Sequence, residues 1–396
     1  MRIAQVAPLA EAVPPKLYGG TERVVSWLTE ALVEAGHDVT LFASGDSETS
    51  ARLVACSESG LRLAGFRDHL AATLVMLDEV RRREAEFDVI HFHTDLAQFA
   101  LFKDIAHKCV TTLHGRLDLP DYMPVFRHFR EMPLVSISDD QRRPLPPDTN
   151  WAGTVHHGLP AQNCPFSPRG GQYLAFLGRI SPEKRPDRAI EIAVRAGLPL
   201  KMAAKVDKAD QDYFEEVIEP LLAHPLVEFV GEINEEEKSD FLGNALALLF
   251  PIDWCEPFGL VMIEAMSAGT PVIAWNMGSV PEVVTHGESG YVVASIEEAV
   301  AAVEKAKHLE RTRVRRTFES RFTARRMAED YVDLYESLVK PLALPAVKVA
   351  ATRPLLGTAP ATWGTTATPI AAKPIAAAGK PLGTPIRTNG GGLYRA

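Results

Sequence analysis

Apolar strand-like runs alternate with helix-like runs from the first residues of this chain, stop at a Pro/Gly-rich patch, and then begin again. The first set is RIAQVAP, DVTLFAS, DVIHFHT, CVTTLHG, LVSISD and GTVHHG, with a helix over TERVVSWLTEALVEAGH that Gly36 closes. The runs are continuously apolar instead of alternating, as in strands buried on both faces. Strands linked by covering helices build a parallel α/β sheet. The patch NCPFSPRGGQ, residues 163 to 172, breaks any regular element. Beyond it come YLAFLGRIS, a helix over PDRAIEIAVRAG, LKMAAKV, VEFVGEI, a helix over EEEKSDFLGNA, LALLFPI, a helix around VMIEAMSAG, TPVIAWN and GYVVAS.

The pattern predicts two consecutive doubly wound, Rossmann-like domains, residues 1–165 and 171–318, facing a central cleft. A charged amphipathic helix over 319–340 closes the globular part. The length of 396 residues suits two domains of about 150 residues each and a tail. From Pro341 onward there are eight prolines, six basic residues and no Asp or Glu. Such a segment cannot build a core and is expected to be disordered.

Composition excludes several classes. A formal charge of -9 gives no general reason to expect nucleic-acid binding, which needs a concentrated basic surface. Cys56, Cys109, Cys164 and Cys255 form no CxxC pair, so a reduced, cytoplasmic chain is expected. The N-terminal apolar stretch reads as a first strand instead of a signal segment, and no run is long enough to span a membrane. Peripheral membrane contact stays open, although the run Arg81, Arg82, Arg83 lies beside Glu84 and Glu86 and reads as a solvated helix face.

In open parallel sheets, ligands bind outside the C-terminal ends of the strands, and four features fall there. Gly19, Gly20 and Thr21 lead into a helix whose bare N–H groups can receive an anion; a tight turn capped by Thr21 is the simpler alternative. His93, in HFHTD, and His114, in TLHG, are candidate cleft hydrogen-bonding groups. His91 and His93 share one strand face, but no further His/Cys/Asp set has ligand spacing, so no metal site is expected. In FLGRISPEKRPD, a strand delivers Arg179 and then Lys184 beside a helix start, which suits a diphosphate; a solvated basic loop is the alternative.

The fourth feature is EPFGLVMIEAMSAGTPVIA, residues 256 to 274. Glu256 and Glu264 do not share a helix face. They bracket a helix N-terminus, whose N–H groups at Phe258, Gly259 and Leu260 could hold phosphate while the carboxylates accept hydroxyl groups on either side. A capping acid and a surface acid are the alternative, weakened by the small residues Ala265, Ser267, Ala268 and Gly269, which imply close packing.

Together, FLGRISPEKRPD, EPFGLVMIEAMSAGTPVIA and GSVPEVVTHGESGYVV resemble the retaining nucleotide-sugar glycosyltransferases of family 4, the glycogen-synthase-like superfamily with the GT-B fold. The N-terminal PKLYGGTERVVSWLTEALVEAGHDVTLFASGDS is similar to a bacterial subgroup that glycosylates antibiotics and pterins. The resemblance implies that Glu256 contacts the donor sugar and Glu264 the ribose. It also implies that Arg179, Lys184, Gly20 and the backbone from Phe258 to Leu260 meet the diphosphate. His114 would lie near the sugar, and the last helix would cross back to the N-terminal domain. His157-Gly158 stands where the family usually has Asn-Gly, and AAKVDKAD replaces a Gly-rich turn, which leaves base and donor preference open.

No Asp-x-Asp motif of the kind that holds a divalent ion on a nucleotide diphosphate stands out. The expectation is therefore a metal-independent hexose transfer that needs no cofactor, with a nucleotide-sugar donor, UDP-sugar favoured, and an unidentified acceptor. The acceptor is expected around 44–70 and 115–131. Rival readings are an epimerase or hydrolase of the same fold, and a non-catalytic sugar-nucleotide-binding or scaffold protein.

Overall fold

The computed structural model describes residues 1–16 and 19–339. The extension that begins at Pro341, expected to be disordered, lies outside the described residues. Two parallel sheets organise the chain. The first holds β1 (Arg2–Val6), β2 (Asp38–Ser44), β3 (Arg52–Ser57), β4 (Val89–Phe92), β5 (Cys109–Thr112), β6 (Leu134–Ser136) and β7 (Trp151–Thr154), in the order 3-2-1-4-5-6-7. The second holds β8 (Leu174–Arg179), β9 (Leu200–Lys205), β10 (Val227–Gly231), β11 (Ala247–Phe250), β12 (Val272–Trp275) and β13 (Gly290–Val293), in the order 10-9-8-11-12-13. Both have the doubly wound α/β arrangement.

Continuous apolar strands are buried from both sides. In β1, Ile3 joins one apolar cluster while Ala4 and Val6 join the other. Full burial of a side chain such as Ile3 is worth about 1.5–3 kcal/mol. The cluster containing Ile3 continues through Leu159, Phe322 and Tyr331 into Leu174 and Leu248 of the second sheet, so the two lobes share apolar packing. Arg311 reinforces the second lobe from within. It is 9% exposed, and its guanidinium donates to the carbonyls of Ser167, Ala245 and Gly243 and to Thr270 Oγ1.

Several local expectations need correction. RLVACS forms β3, an edge strand that no continuous apolar run announces. The strand expected over GTVHHG is Trp151–Thr154, so His156 and His157 lie beyond its end. The final charged segment is two helices, Arg311–Arg321 and Ala324–Val339, separated at Phe322, whose carbonyl accepts from Leu159 N at 2.9 Å. The second of these packs on the first-lobe helix Gly20–Glu34. Among the described residues, no helix is long and apolar enough to cross a membrane, and all four cysteines are free.

Candidate active site

Each sheet reverses its strand order once near its middle, between β1 and β4 in the first and between β8 and β11 in the second. Crevices open at such switch points, beyond the carboxyl ends of the strands. The chain following β1 carries Gly19, Gly20 and Thr21, and the chain following β4 carries His93. Arg179 ends β8 and Lys184 follows it, and beyond β11 comes Glu256. The two lobes meet here: a Cβ on Gly20, the first residue of one helix, would lie 3.8 Å from Leu260 Cδ1, the first residue of another. Two helix N-termini, each favourable to an anion, therefore converge from opposite lobes.

Glu256 is held in place on every side. Lys184 Nζ contacts its Oε2, and Trp254 Nε1 donates to the same oxygen at 3.0 Å. The Lys184 ammonium lies 5.0 Å from the Trp254 ring centre and 5.6 Å from that of Phe250. The Glu256 backbone packs against Gly278, whose φ of 55° is left-handed and where a Cβ would come within 2.4 Å of Glu256 N. Gly259 precedes the helix Leu260–Ser267 with φ 79°, the turn that directs the N–H groups of that helix. Across the cleft, the Arg116 guanidinium of the first lobe lies 5.9 Å from the Trp254 ring.

The two cations expected to meet a diphosphate already carry carboxylates. Arg179 bonds Glu183 at 3.2 Å and pairs with Asp207 at 3.5 Å, as Lys184 does with Glu256. Thr21 does not cap its helix: Gly19 stands at the N-cap with no side-chain cap bond. Glu22, buried in that first turn, has its Oε2 3.0 Å from where a Cβ on Gly19 would be, so an acid of the protein itself lies beside this anion-favouring end. Burial raises its carboxyl pKa. Glu264, 4% exposed, accepts from Lys238 Nζ at 2.8 Å.

The histidines form a buried ladder instead of a ligand set. Gln5 Nε2 donates to Tyr335 Oη at 3.2 Å, and Gln5 Oε1 accepts from His93 Nε2 at 2.8 Å. His93 Nδ1 is thereby a lone pair and accepts from His114 Nε2 at 2.8 Å. His91 joins through Tyr335 Oη at 2.7 Å and Thr112 Oγ1 at 2.7 Å. His114 stacks on His157 with ring centres 5.2 Å apart, and His157 meets the edge of Phe258 in the other lobe. His93 is 2% exposed and lies behind His114 instead of lining the cleft. Burial drives His91, His93 and His157 well below the usual imidazole range and pushes His114 down to about 3. The rings are neutral near pH 7, so His114 serves as a hydrogen-bonding group, not a cation.

No group of three or more His, Cys, Asp or Glu side chains that could hold a metal ion occurs among the described residues. One literal Asp-x-Asp triplet does exist, Asp210-Gln211-Asp212, and it corrects the motif reading. It sits where a short 3-10 turn passes into a three-residue helix.

Some cleft contacts are not announced by residue type or spacing. Glu282 crosses between lobes, accepting from Asp139 N and Asp140 N at 2.8 Å each and from His156 Nε2 at 3.1 Å. Asp95, after β4, has φ 54°, its carbonyl accepting from the fully buried Gln98 amide at 2.9 Å. Surrounding protein raises its carboxyl pKa by desolvation. Trp254 and Lys238 lie outside the family-like motifs, and Arg23 lies inside PKLYGGTERVVSWLTEALVEAGHDVTLFASGDS without being marked there as a cleft residue. The acids of EPFGLVMIEAMSAGTPVIA are readable by contrast with their apolar neighbours, whereas Lys184 and Lys238 reach them from distant elements.

Residues 165–321 match the family profile described as glycosyl transferases group 1, and residues 18–143 match that of glycosyltransferase family 4. A glycogen synthase of Mycobacterium tuberculosis is 26% identical over 386 residues, covering 81% of this chain and 92% of its own. A phosphatidyl-myo-inositol mannosyltransferase of Mycolicibacterium smegmatis is 26% identical over 325 residues, covering 74% and 81%. The crystal structure of AviGT4, a glycosyltransferase involved in avilamycin A biosynthesis, superposes with TM-score 0.65 at 24% identity, covering 86% of this chain and 98% of that one. Anabaena Alr3699/HepE in complex with UDP and glucose superposes with TM-score 0.64 at 17% identity, covering 85% and 100%. With both lobes matched, the chain belongs to glycosyltransferase family 4, as a glycogen-synthase-like glycosyltransferase of the GT-B fold.

Proposed function

We propose that this glycosyltransferase moves a hexose from a nucleotide diphosphate sugar, UDP-sugar favoured, to a hydroxyl of an acceptor, with retention and without a divalent metal. The observation that carries the reading is the Lys184–Glu256 pair beside two converging helix N-termini. Glu256 would accept hydrogen bonds from the sugar and Glu264 from the ribose. Lys184, Arg179 and the N–H groups near Gly20 and from Phe258 to Leu260 would meet the diphosphate. A donor must then draw Arg179 and Lys184 away from their carboxylates, which ties cation release to donor arrival. Alr3699/HepE, a structural neighbour, binds UDP and glucose, which favours the uridine donor.

In the proposed step, the acceptor oxygen bonds to the anomeric carbon on the face the diphosphate leaves. The carbon–oxygen bond to phosphate breaks with its electron pair going to phosphate, and the acceptor proton moves to that phosphate. Preorganised donors in such a site are worth about 3–4 kcal/mol each. His114, neutral and held by His93, would position a sugar hydroxyl.

The test is to incubate the full chain with UDP-, GDP- and ADP-glucose plus cell extract, with and without EDTA, and follow nucleotide release and product mass. Acceptor-dependent release that survives EDTA supports the reading. Release only with added Mg²⁺ or Mn²⁺, or sugar conversion without an acceptor, contradicts it.

A further inference from the structure

We infer that Lys238 and Glu235 position the Glu264 carboxylate, and that Arg23 of the opposite lobe completes the arrangement, so that nucleotide binding and lobe approach are coupled. The inference rests on the reading of Glu264 as the ribose acceptor.

The chain of contacts is continuous. Asn234 caps the helix Glu235–Gly243, its Oδ1 accepting from Glu236 N and Glu237 N at 3.0 Å while Glu237 Oε2 accepts from Asn234 N at 2.9 Å. This capping box places Glu235 in the first turn with Lys238 one turn on. Lys238 Nζ pairs with Glu235 Oε1 at 2.6 Å and with Glu264 Oε1 at 2.8 Å. The same Glu235 oxygen meets Arg23 Nη1 of the first lobe at 3.2 Å. Four charges alternate in sign across the cleft.

Burial makes the geometry consequential. The side chains of Lys238 and Glu264 are only 12% and 6% exposed, so either charge without the other is costly. Burial lowers the Lys238 pKa, but the carboxylates of Glu264 and Glu235 outweigh it and the net shift is upward, so the ammonium persists. Lys238 engages Oε1 of Glu264 and leaves Oε2 for hydroxyl groups. Arg23 lies three residues beyond Gly20, whose position faces Leu260 at the start of the helix that carries Glu264. One first-lobe helix therefore contacts the donor-site helix at its N-terminus and, through Glu235 and Lys238, at its carboxylate.

The experiment uses calorimetry of the full chain with UDP, GDP and ADP, continuing with whichever binds wild type most tightly. Lys238→Met should weaken binding about tenfold or more, and Lys238→Arg should retain most of it. Arg23→Met and Glu235→Gln should each weaken binding by about fivefold, and the double variant no more than the worse single. Melting curves and binding stoichiometry separate this from misfolding, which lowers the number of competent sites instead of raising Kd. Wild-type affinity in Arg23→Met, or losses that multiply in the double variant, overturns the coupling alone. A wild type that binds none of the three nucleotides overturns the donor reading and the coupling with it.

Discussion

Removing Lys184 puts the proposed donor site under direct strain. Its side chain and that of Glu256 are 16% and 13% exposed, and Trp254 Nε1 is the other donor on Glu256 Oε2. Lys184→Ala leaves a largely buried carboxylate without its cation. Loss of one partner of a buried pair costs about 3–5 kcal/mol, and the remaining exposure brings this toward about 2–3 kcal/mol. For a body of this size that is a fall in Tm of roughly 3–5 °C. Turnover should fall by about two to three powers of ten, because a preorganised charge on the leaving group is lost as well. Lys184→Ala/Glu256→Gln separates the two effects. With no unpaired charge left, its Tm should recover toward wild type, while turnover stays low. Tm is read by calorimetry and turnover by UDP release from UDP-glucose. A single variant that keeps more than about a tenth of wild-type turnover, or a double variant whose Tm loss equals the sum of the singles, refutes the reasoning.

Buried neutral histidines make stability depend on pH. An unfolded imidazole takes a proton near pH 6.5, whereas the folded His114 does so only at about 3 and His91, His93 and His157 well below the usual range. The unfolded chain thus binds more protons as pH falls, and each ring removes up to about 1.4 kcal/mol per pH unit below about 6.5. Urea midpoints measured from pH 7 to 5 should fall steadily, the four rings outweighing the buried Glu22 carboxyl, whose raised pKa acts in the opposite sense; a flat profile contradicts the ladder. Tyr335→Phe removes an Oη that bonds His91 at 2.7 Å and Gln5 at 3.2 Å, and should cost about 1–3 kcal/mol in urea unfolding. An unchanged midpoint would show that the buried chain does not need it. Gly278→Ala forces a Cβ to within 2.4 Å of Glu256 N at a φ of 55°. It should lower stability by about 1–3 kcal/mol and turnover about a hundredfold by displacing Glu256; near-normal turnover means Glu256 does not need its present position.

The buried strands were legible because apolar runs bounded by Gly and Pro report burial on both faces, as YLAFLGRIS and TPVIAWN do for β8 and β12. RLVACS escaped because an edge strand is only half covered and its pattern is mixed. Glu256, Glu264, Arg179 and Lys184 drew attention through local contrast, as charges beside small and apolar residues. Their partners could not be read in the same way. Lys238 meets Glu264 from 26 residues upstream, and Gln5 meets Tyr335 from 330 residues away. Gln5 looks like an ordinary strand residue until the last helix is folded back. Glu282, which bridges the lobes, lies within GSVPEVVTHGESGYVV, but nothing local marks it as the acceptor of Asp139 N and Asp140 N.

The central claim is that a nucleotide diphosphate sugar binds where the two switch points meet. A crystal structure of the full chain with UDP tests it most directly. The account predicts ribose hydroxyls on Glu264, with the diphosphate between Gly20 and the backbone from Phe258 to Leu260. It also predicts that Arg179 and Lys184 turn from Glu183 and Glu256 toward phosphate. UDP bound elsewhere, or bound with both cations still on their carboxylates, would contradict it.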